Sequence, residues 1–213
     1  MNRYVKAALT GLFMATALAG AAKFYLWQTE QDTEQVTEQV PSMFWEQVKP
    51  LADLVALGEG SWNSVNRGYP GDTPGGIQTI LRKPFSEVTL NEIIAMQDAG
   101  EIFAVGKFQF IPSTFRSVVK ASGLSYDTKF TNDVQYQLFA VTLESKRPVI
   151  GDYLKGYHSH LDIAADELAM EWAGVEYREG RGFYDGYNGN KAKVKRSVVE
   201  EVMQAIWNTN VTP

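Results

Sequence analysis

The chain has 213 residues, of which 45% are hydrophobic and 12% aromatic, and its formal net charge at pH 7 is -5. This length and composition suit one folded domain with an additional segment, and they exclude a chain that is disordered throughout. The sequence has no cysteine, which excludes disulfide bonds and cysteine-ligated metal sites, and its acidity argues against a nucleic-acid partner.

The amino terminus has the pattern of an export signal or a membrane anchor. A basic start precedes the uncharged run 7–22, and Lys23 and the apolar residues 24–27 follow it. The run alone is short for a membrane span, but snorkelling of Lys23 would extend it to about the 20 residues that a bilayer core requires. Its many small residues give it a low membrane affinity. Residues 1–27 are therefore predicted to be a cleavable signal peptide or a signal anchor, stable or later released, the alternative being a buried helix.

Either form of export signal would place the rest of the chain on the periplasmic or cell-wall side of the inner membrane. An anchor would tether it there through residues 7–27. Residues 28–41 follow as a polar linker that repeats Thr-Glu-Gln every four residues and ends at Pro41. On a helix this period would stack glutamates of like charge, so we predict a solvated, partly helical spacer. The alternative is that its negative charge holds the following domain off an anionic membrane surface.

Residues 42–213 are predicted to form one mostly α-helical domain with a small irregular or β lobe. Apolar residues recur at the spacing of one helix face between Phe44 and Val55, and this helix ends around Glu59. Glycines and prolines are dense between 60 and 88, which predicts loops or a small hairpin there.

Specific residues mark the boundaries of the later helices. Thr89 and Glu92 form a capping-box pattern, and Gly100 suits the end of that helix. Pro112 suits the first turn of the next helix, which is predicted to end near Gly123. Further helices are predicted over 132–145, after Pro148, over 162–173 and over 190–207, and the predicted core includes Met96, Phe139 and Trp172.

Two segments carry the residues that indicate a function. Glu59 lies at the end of the apolar helical run, in LGEGSWN (57–63), and the segment GKFQ (106–109) comes later in the chain. The first supplies an acid on a helix end, and the second supplies an amide beside an aromatic residue. Either segment alone is weak support for a site, since a glutamate beside glycines can simply end a helix.

In this order, the two segments and three later ones resemble the lysozyme-superfamily endolysins of tailed phages, nearest to the lambda-type endolysins. The later segments are Gln135, the pair Trp172-Ala173, and YNGNKA (187–192) before the last predicted helix. The resemblance covers 48–205, which is most of the chain. It implies an α+β lysozyme-like fold and cleavage of the MurNAc-GlcNAc bond of bacterial peptidoglycan for host cell lysis.

The chain departs from the pattern of these lysozymes at two points. Lys107-Phe108 stands where the lambda-type family has Arg-Tyr, so a contact that depends on the tyrosine hydroxyl is lost. The other large class of phage lysozymes carries a catalytic Asp at the position of Gly68. This second departure favours the single-acid chemistry of a lytic transglycosylase over the hydrolysis of a muramidase.

Cleavage of a glycosidic bond needs a proton donor for the leaving oxygen, and the resemblance implies that Glu59 is this general acid. Trp62 is predicted to help desolvate the carboxyl, raise its pKa and bind substrate. Asp72 is the nearby loop carboxylate that a hydrolase would use as base or nucleophile. In a transglycosylase it is a turn residue.

Substrate-binding roles are predicted for five further residues. Gln109 can donate and accept hydrogen bonds at once, which suits a neutral saccharide, and its alternative is a buried amide bonded to the backbone. Phe108 is predicted to stack on a sugar or to lie in the core. The resemblance implies that Tyr184, Tyr187 and Asn190 form the far wall of the cleft, with an ordinary surface loop as the alternative.

No metal or other cofactor is expected, because His158 and His160 have no nearby third ligand. We expect a monomer whose partner is the glycan strand, although the acidic net charge argues against strong attraction to an anionic wall. Three other interpretations stay open. The same catalytic domain would serve a virion as a membrane-anchored enzyme for cell entry, or the domain would be an inactive lysozyme-like wall-binding module, or a membrane-tethered helical scaffold.

Overall fold

The computed structural model describes residues 44–187 and 189–211. The predictions for the export signal and the linker concern residues 1–41, which lie outside the described residues. Within the described ranges the chain is predominantly helical with a few short strands, as the sequence predicted. No helix in these ranges is long and apolar enough to cross a membrane.

The described ranges contain nine α-helices and four short strands. The helices are α1 (Phe44–Gln47), α2 (Lys49–Glu59), α3 (Ile77–Leu81), α4 (Leu90–Asp98), α5 (Pro112–Ser122), α6 (Asn132–Val141), α7 (Pro148–Leu154), α8 (Leu161–Glu171) and α9 (Arg196–Val211). The strands are β1 (Val65–Asn66), β2 (Ala104–Val105), β3 (Glu176–Arg178) and β4 (Arg181–Gly182). A 3-10 turn covers Phe85–Glu87, and a π-helical turn covers Thr142–Lys146.

Local signals at helix ends are confirmed. The Thr89 hydroxyl accepts a hydrogen bond from the Glu92 N–H at 3.1 Å, and the Glu92 carboxylate accepts one from the Thr89 N–H at 2.7 Å. This capping box satisfies backbone donors that the first turn of α4 leaves free. Pro112 begins α5, and Gly123 follows its end with a left-handed φ of 69°.

Two boundary predictions are corrected. The last helix begins at Arg196 and not near residue 190, because the preceding residues pair with a remote segment: the N–H groups of Lys193 and Val194 both donate to the Gly174 carbonyl, at 2.8 and 2.9 Å. The region 60–88 contains the short helix α3 and a 3-10 turn as well as the predicted loops, in which Asn66 and Asp72 form an isolated antiparallel bridge. The density of glycine and proline masked these short helical pieces in the sequence.

The core lies between the helices and includes the predicted face of α2. Leu51 and Val55 on that face have no exposed surface, and the predicted core residues Phe139 and Trp172 are also buried. Phe108 enters the same core, with its ring centroid 4.7 Å from that of Phe139. Burial of the α2 face anchors the helix and holds its last residue at the edge of the core.

The small lobe brings the two functional segments together. β1 pairs antiparallel with β2, with Val65 opposite Val105 and Asn66 opposite Ala104. β1 follows the end of α2 by a short turn, and β2 leads directly into 106–109. The pairing therefore places residues that are far apart in the chain beside each other.

Candidate active site

Glu59 is the last residue of α2, and a contact between two glycines fixes its surroundings. A Cβ built on Gly58 would lie 2.7 Å from the Gly174 Cα, and a Cβ built on Gly174 would lie 2.6 Å from the Gly58 Cα. The packing leaves no room for a side chain at either position. This close approach of the two backbones lets the Gly174 N–H donate a hydrogen bond to Glu59 Oε1 at 2.8 Å.

The surroundings of Glu59 favour its protonated form. Burial raises the pKa of the carboxyl, and the nearby Glu171 acts in the same direction. The Gly174 N–H and Lys193 lower the pKa without cancelling the effect of burial, so the net shift is upward. A carboxyl with a raised pKa holds its proton closer to neutral pH, which is what a general acid requires.

Gln109 reaches the end of α2 through the small lobe. The Gly106 N–H donates to the Ser64 carbonyl at 2.8 Å, and the Gln109 side-chain amide donates to the Gly106 carbonyl at 2.8 Å. A Cβ on Gly60 would lie 3.2 Å from Gln109 Nε2, so the glycine beside Glu59 makes room for this amide. Gln109 has a φ of 48°, a backbone conformation that is uncommon outside glycine and concentrates at functional sites.

Gln135 in α6 joins the two segments, although the sequence assigned it no role. Its side chain has no exposed surface. Its Oε1 accepts a hydrogen bond from the Lys107 N–H at 2.8 Å, and its Nε2 donates to the Trp62 carbonyl at 3.0 Å. Because Lys107 and Trp62 lie on the segments that carry Gln109 and Glu59, this one amide holds those segments at a fixed separation.

Replacing Gln135 by methionine is expected to lower the free energy of unfolding by about 1–3 kcal/mol, because two backbone groups that Gln135 bonds lose their partner. Any activity of the site should fall as well, since its two walls are no longer held together. Urea unfolding followed by circular dichroism would measure the change. The matched control is Gln137→Met on the same helix, where the side chain is half-buried. Equal stability of the two variants would contradict the clamping role.

Glu59, Asp72 and Gln109 line one open cleft of about 360 Å³. This volume is within the range of small-ligand sites. The cleft is also lined by Ser61, Asn63, Ser64, Val65, Thr73, Gly75, Gly76 and Gln78. Ser61, Asn63 and Ser64 follow shortly after Glu59 in the chain, so the sequence could have indicated them as residues of the site. Gln78 is further along the chain and carries no such signal.

The loop after β1 supplies a second carboxyl to the cleft. Asp72 is exposed and accepts a hydrogen bond from the Asn66 side-chain amide at 2.9 Å. The neighbouring Thr73 hydroxyl is buried and has no hydrogen-bond partner within residues 44–187 and 189–211. Buried polar groups normally have a partner. The Thr73 hydroxyl is thus an exception among the described residues, and because it has almost no accessible surface it does not face the cleft.

The cleft combines the half-buried carboxyl of Glu59, the exposed carboxyl of Asp72, two side-chain amides of glutamine and serine hydroxyls. Comparisons with known protein families, with curated proteins and with solved structures found no match for this chain. Its function is therefore inferred from the chemistry of these residues and from the order of its motifs.

Five predicted substrate-binding residues are not among the described residues that line the cleft: Trp62, Phe108, Tyr184, Tyr187 and Asn190. Phe108 is 1% exposed, so of its two predicted roles, sugar stacking and core packing, it has the second. The Trp62 ring lies against Tyr136, with centroids 5.2 Å apart, and the Lys107 Nζ is 4.1 Å from the Trp62 ring centroid. Lys107 also forms an ion pair with Asp53, so its charge is neutralised in place.

The predicted far wall is a surface turn. The Tyr184 hydroxyl donates to the Met170 carbonyl at 2.8 Å, and the Asn190 N–H donates to the Tyr187 carbonyl at 3.0 Å. Tyr187 is 68% exposed. Substrate contact by these side chains stays a prediction. The described ranges hold no group of three or more His, Cys, Asp or Glu side chains placed to bind a metal ion.

Proposed function

We propose that this domain cleaves the glycan strands of bacterial peptidoglycan at the MurNAc-GlcNAc bond, with Glu59 as general acid. The observation that supports this most is the half-buried Glu59 carboxyl, which lines a cleft with Asp72 and Gln109 and whose pKa is raised by desolvation. Breaking a glycosidic bond requires protonation of the leaving oxygen. The amides and hydroxyls of the cleft suit a neutral substrate rich in hydroxyl groups.

The proposal includes a lysozyme-like α+β fold and a role in host cell lysis. The fold is supported by the helical domain, by the small β1–β2 lobe beside the cleft and by the order of motifs from Glu59 to 187–192. The role in lysis rests on the export pattern of residues 1–27, which would deliver the domain to the wall. Tethering through 7–27 would keep it at the inner membrane.

In a lytic transglycosylase, Glu59 acts first as acid and then as base. Its carboxyl gives a proton to the glycosidic oxygen while the bond from that oxygen to C1 of the muramyl residue breaks. The resulting carboxylate takes the proton of the muramyl 6-hydroxyl as this oxygen attacks C1, which closes a 1,6-anhydro ring and consumes no water. The Gly174 N–H would stabilise the carboxylate between the two steps.

Hydrolysis is the second candidate reaction, and one observation favours it: Asp72 lines the same cleft as Glu59. The Asp72 carboxylate would take a proton from a water molecule as the water oxygen attacks C1. The Glu59 proton goes to the leaving oxygen, as before, and the product is a reducing muramic end.

The test is digestion of purified peptidoglycan with the full-length protein, followed by mass spectrometry of the sugar ends. Ends with 1,6-anhydro-muramic acid would establish the transglycosylase reaction and leave Asp72 as a turn residue. Reducing muramic ends would establish hydrolysis and give Asp72 the second catalytic role. Intact strands would overturn the proposal in favour of a wall-binding module or a scaffold.

A further inference from the structure

Three lysines lie on one exposed edge of the segment 191–195. Burial alternates along this segment. Val194 is only 5% exposed and pairs with Val175, Ala192 is half-buried, and the three lysines are exposed. Alternate side chains of such an extended segment share one side, as they do in a strand. The exposed side carries what we call the lysine row: Lys191, Lys193 and Lys195.

Lys193 connects the lysine row to the cleft. Its Nζ donates to the Gly58 carbonyl at 3.3 Å, one residue before Glu59. Its N–H donates to the carbonyl of Gly174, whose own N–H binds the Glu59 carboxylate. The middle member of the row therefore lies beside the proposed catalytic carboxyl, with Lys191 and Lys195 on either side of it along the chain.

The lysine row has unneutralised charge. None of its three ammonium groups forms an ion pair within residues 44–187 and 189–211, and the nearby Asp185 carboxylate accepts the Ala192 N–H. Most other cationic side chains in those ranges are paired: Lys49, Lys83, Lys107, Arg116, Lys146, Arg147, Lys155, Arg178, Arg181 and Arg196. In a chain of net charge -5, an unpaired row produces a local positive potential that attracts anionic groups.

We propose that the lysine row binds the carboxylates of the stem peptides on the muramyl residues, so that the substrate is the peptide-bearing glycan strand. The sugar backbone is neutral and gains nothing from unpaired cations, whereas stem peptides carry carboxylates that extend sideways from the glycan. A row of charges centred on Lys193, beside Glu59, suits a substituent of the residue being cleaved. This inference rests on the proposed function, because it presumes a glycan strand in the cleft.

The experiment measures binding to the full-length protein carrying Glu59→Gln, which prevents cleavage during the measurement. The probes are soluble glycan strands with stem peptides and the same strands after an amidase has removed the peptides. Adding Lys191→Gln and Lys195→Gln together should weaken binding of the peptide-bearing strands roughly three- to tenfold, as two exposed charge contacts suggest. Binding of peptide-free strands should not change, and added salt should narrow the difference.

The matched control is the pair Lys120→Gln and Lys129→Gln, which removes the same charge from exposed positions elsewhere and should leave both affinities unchanged. Equal weakening in the control pair, equal weakening for both kinds of strand, or no weakening would each overturn the proposal. Failure to bind either strand with the lysine row intact would also overturn it. Failure of the proposed function is seen separately, as a wild-type protein that leaves peptidoglycan uncut.

Discussion

Replacing Glu59 by glutamine is expected to abolish glycan cleavage and to make the folded domain more stable at neutral pH. Glutamine keeps the shape of the side chain. Its Oε1 can still accept the hydrogen bond that the Gly174 N–H donates to the carboxylate in the wild type. Its amide has no proton acidic enough to protonate the leaving oxygen, so the rate should fall by at least about 10²-fold, the usual contribution of general acid catalysis. A loss of activity joined to a gain in stability is the expected signature of a buried catalytic acid.

The gain in stability follows from proton linkage at Glu59. Burial raises the pKa of this carboxyl in the folded state above its value in the unfolded chain. The folded state then binds the proton more tightly, so the wild-type free energy of unfolding falls as pH rises from the unfolded pKa through the folded one. Glu59→Gln does not lose stability in this way as pH rises. The free energies of unfolding of the two proteins should therefore become equal in acid, below the ordinary glutamate pKa.

Urea unfolding at a series of pH values, together with the cleavage assay, checks both halves of this expectation. The matched control is Glu101→Gln, because Glu101 is exposed and outside the cleft lining. That variant should keep cleavage activity and the wild-type dependence of stability on pH. Retained cleavage by Glu59→Gln would remove Glu59 as the acid, and an unchanged pH dependence of its stability would show that the carboxyl is not buried in solution.

Replacing Gly174 by alanine is expected to lower both stability and activity. The new Cβ would lie 2.6 Å from the Gly58 Cα and 2.9 Å from its carbonyl carbon, and neither backbone atom can rotate away. Overpacking of this kind usually costs about 1–3 kcal/mol. Moving α2 away from Gly174 also displaces the acid, and a shift of about 1 Å can reduce the rate about 10²-fold.

The pH profile separates this effect from a general loss of stability. The Gly174 N–H lowers the pKa of Glu59, so weakening that hydrogen bond should raise the pKa further. The alkaline limb of kcat/KM, which reports loss of the acidic proton from the free enzyme, should then move to higher pH. Gly180→Ala is the control, because its Cβ meets no atom within 4 Å and its φ of 75° still imposes strain. It should destabilise the fold without moving the limb.

Nuclear magnetic resonance of the wild-type protein tests the same contact if Gly174→Ala does not fold. The amide proton of Gly174 donates to Glu59 Oε1, so its chemical shift should follow the ionisation of that carboxyl during a pH titration. The titration should disappear in Glu59→Gln. A Gly174 amide signal that is independent of pH in the wild type would show that this hydrogen bond does not form.

Helix boundaries could be predicted where the signal is local. The capping box of Thr89 and Glu92 and the ends of α5 at Pro112 and Gly123 involve groups within a few residues of one another. The start of α9 was mispredicted because the pairing of Val194 with Val175 is a contact between remote segments. Periodicity along the chain carries no information about such a contact.

Residue patterns alone were enough to predict the predominantly helical class, the buried face of α2 and the two segments that carry Glu59 and Gln109. The folded chain was needed to show that Asp72 shares their cleft, that Phe108 lies in the core and that Gly174 binds the Glu59 carboxylate. Helical class follows from residue spacing and end signals, which act within a few turns. Burial, pKa and side-chain direction depend on segments that meet only when the chain folds, since β1 must pair with β2 and Gly58 must reach Gly174.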